Sequence, residues 1–413
     1  MKNYILIFSI ITLAFFGCQP APEKSVDPTG TWKVSFDLGE VRLPTIITIK
    51  STGESQYTAS LVNGEETLDV ESVTQKGDTL TLRMAIFDTE MVGVINAGGM
   101  WEGTFTNYSR SKDYQIPFSA EKGTENRFST QDSVAVNDIS GRWETYFSPD
   151  DPEGRSPGIG IFQQEGKNVK GTFLTETGDY RFLEGVAEGD SLKLSCFDGD
   201  HVFLFLAEKN EEGKLNGTFY SGTHWVEPFV GELNEEFELR NPDELTYLKP
   251  GYEKMAFSFP DLDGNMVSLE DSVFQDKVVV VQIMGSWCPN CMDETKLFAK
   301  YHDKFHDDGL EIVALAYERA KGFEQASKSV KRLKDHFGLQ YHTLIAGTSN
   351  KTEAAETLPM LNHIMSFPTS IFIDRKGRVR KIHTGFYGPG TGKYYDQFVE
   401  ETDAFLTKLL AES

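Results

Sequence analysis

The sequence predicts a multidomain β plus α/β protein: two tandem antiparallel β-barrel or sandwich repeats, then a layered α/β domain. Three observations carry this reading. A pattern beginning at Gly30 recurs 111 residues later. Both copies alternate apolar and polar residues with a period of two. From about residue 254, strand and helix patterns alternate instead. A chain of 413 residues is long enough for two or three domains with sizeable cores.

The chain opens on Met1-Lys2-Asn3, a short basic start. A mostly apolar stretch follows over 4–16, too short to span a bilayer comfortably. It ends in Phe16-Gly17-Cys18 and the loose segment QPAPEKSVDP. A small residue before a lone cysteine resembles a bacterial lipoprotein signal, with Cys18 as the lipidated first residue of the mature chain. An ordinary signal peptide or an uncleaved anchor is the alternative, because the residues before Gly17 are bulkier than usual there. The expected division is a signal peptide (1–17), a tether (18–28), β repeats at 29–122 and 140–233, a linker (234–253) and the α/β domain (254–413). The expected location is the bacterial cell envelope, lipid-anchored and facing the periplasm.

Five matches define the repeat. GTWKV at Gly30 answers GRWET at Gly141, and GDTLTL at Gly77 answers GDSLKL at Gly189. Phe87-Asp88 answers Phe197-Asp198, Gly103-Thr104-Phe105 answers Gly217-Thr218-Phe219, and Pro117-Phe118 answers Pro228-Phe229. The offsets stay between 110 and 114, the spacing of tandem domains rather than solenoid units. Stretches such as TIITIKST and TLTLRMAIF in the first copy, and GIGIFQQEG and HVFLFLAE in the second, read as short strands between turns. The rhythm and the early Gly-x-Trp resemble a small lipocalin-like up-and-down barrel, in which that motif closes the barrel base. The polar stretches 121–139 and 232–253 read as linkers.

Charge is uneven. Residues 250–413 hold 19 basic and 23 acidic side chains, whereas the first 249 hold 21 and 40. A net charge of −23 argues against nucleic acid and against electrostatic adhesion to anionic lipid.

In the α/β domain, FSFPDLDGNMVSL reads as a hairpin turning on Asp263-Gly264, and KVVVVQIM as a buried central strand. Trp287-Cys288-Pro289-Asn290-Cys291 then opens a helix. On the first helical turn, residues i and i+3 share a face, so the two sulfurs can meet. The helix N-terminus offers unpaired amides and partial positive charge to a thiolate on Cys288. A free thiol of pKa about 8.5 is only roughly 3% ionised at neutral pH. Pro289 sits early in the helix, where a missing N–H costs nothing. EIVALAY, a helix over about 322–337, YHTLIA, a TSIFID/RVRKIHT hairpin and a last amphipathic helix from about Tyr395 to Leu410 follow.

Zinc at the cysteine pair would need two more ligands. His302 and His306 lie more than ten residues on along the same helix, and no second Cys pair exists, so no metal and no cofactor are expected. Cys196, in the alternating stretch SLKLSCFDG, reads as a small buried hydrophobe.

DLDGNMVSLED, KVVVVQIMGSWCPNCMDE, SFPTSIFIDRKGRV and the Gly385 turn together resemble the TlpA-like thiol-disulfide oxidoreductases of the thioredoxin fold. That family is close to the cytochrome-c-maturation reductases and to the AhpC/TSA peroxiredoxin-like group. The likeness runs from Met255 to the C-terminus and implies a thioredoxin-like domain. It implies that Cys288 attacks, that Cys291 resolves, and that the two form a redox-active disulfide. Pro368 matches the family's cis-proline, with the backbone of Phe367 pairing with substrate; an ordinary trans proline at a strand start is the alternative. Glu294 matches the acidic position near the buried sulfur, against a plain solvent-facing helix glutamate. Trp287 matches the aromatic residue that shields the site edge, beside Pro289. Lys296 stands where relatives have a helix-kinking proline, and Ile283-Met284 where many have aromatic pairs.

The implied partners are disulfide-containing proteins, an upstream membrane thiol donor, and the membrane through the lipid anchor. Two rival readings stand beside this one. A peroxiredoxin-type peroxidase wants a threonine three residues before the reactive cysteine, where this chain has Gly285. Alternatively, the chain is a ligand- or partner-binding lipoprotein whose barrels do the main work, which would need a roomy, apolar barrel interior.

Overall fold

The computed structural model describes residues 26–123, 126–131 and 137–412. Residues 1–17, Cys18 and the first part of the tether lie outside the described residues.

The first repeat forms β1 (Gly30–Asp37), β2 (Arg42–Gly53), β3 (Gln56–Asn63), β4 (Glu66–Val70), β5 (Ser72–Lys76), β6 (Thr79–Met84), β7 (Thr89–Ile95), β8 (Trp101–Asn107) and β9 (Gln115–Lys122). They pair as an antiparallel meander in the order β4-β3-β2-β1-β9-β8-β7-β6-β5. The two ends of the sequence repeat meet through β1 and β9, and the sheet stays open between β4 and β5. The second repeat forms β10 (Gly141–Phe147), β11 (Ser156–Glu165), β12 (Asn168–Thr175), β13 (Gly178–Asp179), β14 (Leu183–Glu188), β15 (Ser191–Phe197), β16 (Val202–Lys209), β17 (Leu215–Ser221) and β18 (Trp225–Leu233). Here β11 also pairs with β12, which closes the barrel.

Alternation explains the inward faces. Along β1 the side chains of Trp32, Val34 and Phe36 are fully buried, and the residues between them are not. Trp32 and Trp101 meet edge-on at 5.9 Å, and Trp101 meets Phe118 at 4.8 Å. Phe173 stacks on Phe205 at 4.6 Å in the second barrel, and Phe205 on Phe219 at 4.5 Å. Both interiors are therefore filled by aromatic side chains, which counts against a ligand chamber. The tryptophan of each Gly-x-Trp closes one barrel end. Trp32 Nε1 donates to the Pro28 carbonyl at 2.8 Å, and Trp143 Nε1 to that of Ile139 at 2.9 Å. At Gly217 a Cβ would lie 2.4 Å from the Phe229 ring, so no larger residue fits there. Cys196 is a free, fully buried thiol.

The segment 234–253, expected as a linker, is tied down on both sides. It carries the short helix α1 (Pro242–Leu245), capped by the Asn241 side chain. Arg240 pairs with Glu176 of the second barrel at 2.6 Å. Asp243 accepts from His383 at 2.6 Å and pairs with Lys381 at 3.2 Å in the α/β domain. Its polar composition serves these pairs rather than flexibility.

The α/β domain starts with the hairpin β19 (Ser258–Pro260) and β20 (Met266–Ser268). It continues with β21 (Val278–Met284), α2 (Pro289–Phe305), β22 (Leu310–Glu318), α3 (Phe323–Phe337), β23 (His342–Thr348) and α4 (Lys351–Thr357). The last elements are β24 (Thr369–Ile373), β25 (Val379–Thr384) and α5 (Lys393–Ala411). The five-stranded sheet runs β23-β22-β21-β24-β25; β21, β22 and β23 are parallel, and β24 and β25 antiparallel to their neighbours. β21 and β22 are buried along their whole length, as a sheet covered on both faces requires. This arrangement is the thioredoxin-like sheet expected of 254–413.

Candidate active site

β21 delivers the chain from the sheet centre into the Gly285-Ser286-Trp287 turn. A Cβ on Gly285 would lie 2.3 Å from Trp287 Nε1, so glycine is needed for the turn to close. Ser286 holds the turn by donating its amide and hydroxyl to Glu318 at 2.8 and 2.7 Å. Cys288 is the N-cap of α2, and Pro289 takes the first turn. The Cys288 sulfur accepts from the Cys291 amide at 3.2 Å, so the helix's positive end meets this atom. Cys288 retains 7% of its surface, whereas Cys291 is fully buried; both are free thiols. Burial, with the neighbouring Cys288, pushes the Cys291 thiol well up.

Behind the sulfurs lies Glu294, fully buried rather than facing solvent. Its carboxylate accepts from Gln282 Nε2 at 2.9 Å and from Ser370 Oγ at 2.6 Å. Burial pushes its pKa up to about 7, against the pull of those two bonds. Gln282 also reaches the Cys291 carbonyl at 3.4 Å and Thr295 Oγ1 at 3.1 Å. α2 runs unbroken through Lys296, where relatives carry the proline.

The Phe367–Pro368 peptide is cis. Its carbonyl is turned to the dithiol, with Cys288 Sγ donating to Phe367 O at 3.5 Å. Trp287 stands edge-on to the Phe367 ring at 5.8 Å and donates to the Tyr317 carbonyl at 2.9 Å. Tyr317 and Phe367, 5.7 Å apart, supply aromatic wall where Ile283-Met284 do not.

The second barrel lies against the Asn290 side of the site. Asn290 Nδ2 donates to the Asp179 carbonyl at 3.2 Å and to that of Phe386 at 3.4 Å. Ser366 Oγ donates to Thr177 O at 2.7 Å, the Gly388 amide to Asp179 at 2.6 Å, and Tyr387 OH to Thr175 O at 3.0 Å. Arg181 anchors the contact. It pairs with Asp293, two residues after Cys291, with Glu66 of the first barrel at 2.8 Å, and with Asp198 at 3.5 Å. Burial opposes the guanidinium charge, but Asp293, Glu66 and Asp198 hold it charged.

The structure thus brings Cys288, Cys291, Glu294, Trp287, Pro289, Phe367 and Pro368 together. Cys18 lies outside the described residues. His302 near the end of α2, His306 just after it and Glu311 on β22 cluster apart from the cysteines, with His306 pairing loosely with Glu311 at 3.5 Å. Sequence reasoning missed Gln282, Ser370, Glu318 and the 175–181 contact. A glutamine inside the apolar run KVVVVQIM was a legible signal, since a buried polar side chain needs a partner. Thr175 to Arg181 carried none, because their partners are over a hundred residues away.

Residues 249–397 match the family model Redoxin. The thiol-disulfide oxidoreductase ResA of Halalkalibacterium halodurans is 26% identical over 137 residues, covering 33% of this chain and 69% of that protein. The thioredoxin-like protein YneN of Bacillus subtilis is 27% identical over 138 residues, covering 33% and 73%. Among solved structures, a thioredoxin-family thiol:disulfide interchange protein from Chlorobium tepidum shares 20% identity over 38% of this chain and 96% of its own, with a TM-score of 0.30. By its family match, its relatives and its own fold, the C-terminal part of this chain is a redoxin domain of the TlpA-like, thioredoxin-fold oxidoreductases.

Proposed function

We propose that this chain reduces disulfides of extracytoplasmic partner proteins through the Cys288/Cys291 dithiol. The observation that supports it most is the Cys288 sulfur at the helix N-cap, facing the Phe367 carbonyl. In the forward cycle the Cys288 thiolate attacks one sulfur of a partner disulfide. A mixed disulfide forms and the partner's other sulfur leaves as a thiolate. Cys291 gives its proton to the Glu294 carboxylate, through water or a small side-chain shift, and attacks the Cys288 sulfur. The second partner sulfur leaves, and two electrons have passed from the dithiol to the partner. A dithiol donor, proposed as a membrane thiol carrier, then reduces Cys288–Cys291 again. Cys18 is proposed as the lipid anchor, holding the domain on the periplasmic side of the envelope.

A carboxyl with pKa near 7 is half ionised at neutral pH, which suits a group that takes and returns a proton. The test is an insulin disulfide-reduction assay. Cys288→Ser is expected to fall to the uncatalysed rate, and full activity in that variant would sink the proposal. Glu294→Gln is expected to slow turnover by about 10- to 100-fold, the usual worth of one acid–base group, and to remove the inflection near pH 7. Rapid peroxide consumption by the reduced protein would favour the peroxidase reading instead.

A further inference from the structure

On the Trp287 side of the dithiol, a cleft of about 410 Å³ separates the first barrel from the α/β domain. Its walls carry Arg110 from the barrel and Arg319, Lys321 and Arg332 from the α/β domain. Two acidic side chains, Asp88 and Glu318, also line it. Both are engaged: Asp88 pairs with Arg83 and, at 3.7 Å, with Arg332, while Glu318 accepts from Ser286. Arg319 lies 4.2 Å over the Trp287 ring and 3.8 Å from Asp200. Arg332 Nε is buried without a hydrogen-bond partner among the described residues. Burial pushes the Arg319 guanidinium down, and Arg110 adds like-charge repulsion that Asp200 opposes. Such a concentration of cations is unexpected on a chain of net charge −23. With the Asn290 side held by the second barrel, this cleft opens beside Trp287, the residue that precedes Cys288.

We propose that this cleft binds an acidic segment flanking the disulfide of the protein substrate. The inference rests on the oxidoreductase reading and adds the chemistry of the partner. Carboxylates would relieve the repulsion between Arg110 and Arg319 and would draw the disulfide to Trp287 and on to Cys288. The first barrel is then a substrate-selecting wall rather than a spacer.

The test compares two peptide disulfides of equal length, one flanked by Asp and Glu, the other by Lys, with the reduced full chain at low and high salt. The acidic peptide is expected to show a kcat/KM about tenfold higher at low salt, with the preference shrinking at high salt. Arg110→Gln and Lys321→Gln should each cut the preference about two- to fivefold, mainly through KM, the worth of one partly screened ion pair. Lys408→Gln, on α5 away from the cleft, should leave it in place. Equal or better reduction of the lysine-flanked peptide overturns the inference while leaving the oxidoreductase reading intact. So does a preference that survives both cleft substitutions. Reduction of neither peptide nor insulin overturns both.

Discussion

The two repeats put one matched Phe-Asp pair to two different dockings. Phe87-Asp88 and Phe197-Asp198 are matched in sequence, but Phe87-Asp88 lies in the turn between β6 and β7, whereas Phe197 is the last residue of β15 and Asp198 follows it toward β16. Phe197 is fully buried in the core of the first barrel, with Phe36 at 4.7 Å and Phe105 at 5.3 Å. Phe87 is half-buried and packs on the α/β core instead. Asp198 is buried and bonded to His201 at 3.0 Å, whereas Asp88 stays partly exposed between Arg83 and Arg332. The second repeat thus docks on the first, and the first on the redoxin domain, through residues matched in sequence. The lesson is that the burial of a repeated motif, and so its energetic weight, is set by the neighbour it meets.

Arg181 is where this asymmetry is easiest to break. The 111-residue offset puts Val70 at its place in the first repeat, so only the second barrel carries the buried cation. Arg181→Met leaves Asp198, Asp293 and Glu66 without their shared partner. The expected cost is about 3–5 kcal/mol in urea unfolding, the penalty for orphaning buried charge. Alkylation of Cys288 by iodoacetamide should speed up as the barrel contact loosens. Unchanged stability and alkylation would mean that the contact contributes nothing.

Next in size is the phenylalanine pair. Phe197→Ala is expected to cost about 3–5 kcal/mol, and Phe87→Ala about 1–2 kcal/mol because part of that ring is already in water. Equal losses would erase the distinction drawn between the two positions.

The aspartates differ in the same direction, through pH. Burial pushes the Asp198 carboxyl up, but His201 and Arg181 hold it down at about 2. Its folded pKa is below its ordinary value of 3.8, so its stabilisation is present above 3.8 and is lost as pH falls through about 2. That contribution is about 2 kcal/mol at neutral pH, and Asp198→Asn should flatten the acid limb of stability against pH. Asp88→Asn should change stability by less than about 1 kcal/mol, as for other partly exposed pairs.

Much of the redox site was legible because its parts are local. A buried strand, a glycine turn and two cysteines on one helical turn specify the dithiol within fifteen residues, Lys277 to Cys291. Glu294 was legible as a position but not as an environment. Its burial depends on Gln282 and Ser370, which reach it from two other elements. The barrels were legible through period-two alternation. The open seam between β4 and β5 was not, since alternation fixes faces and says nothing of which edges pair. The segment 234–253 was read as a linker from its charge, yet Arg240 and Asp243 are spent on ion pairs to two different domains.

By itself, the sequence determined the repeat, the strand rhythm, the order of α/β elements and the cysteine spacing. All of these are set by side-chain periodicity and turn chemistry within a few residues. Only the tertiary structure decided that Asp179 and Arg181 would meet Asn290 and Asp293, and that Arg110 would face Arg319 beside Trp287. Those contacts join residues more than a hundred positions apart. Their stability comes from burial and paired charge at surfaces that exist only after each domain has folded.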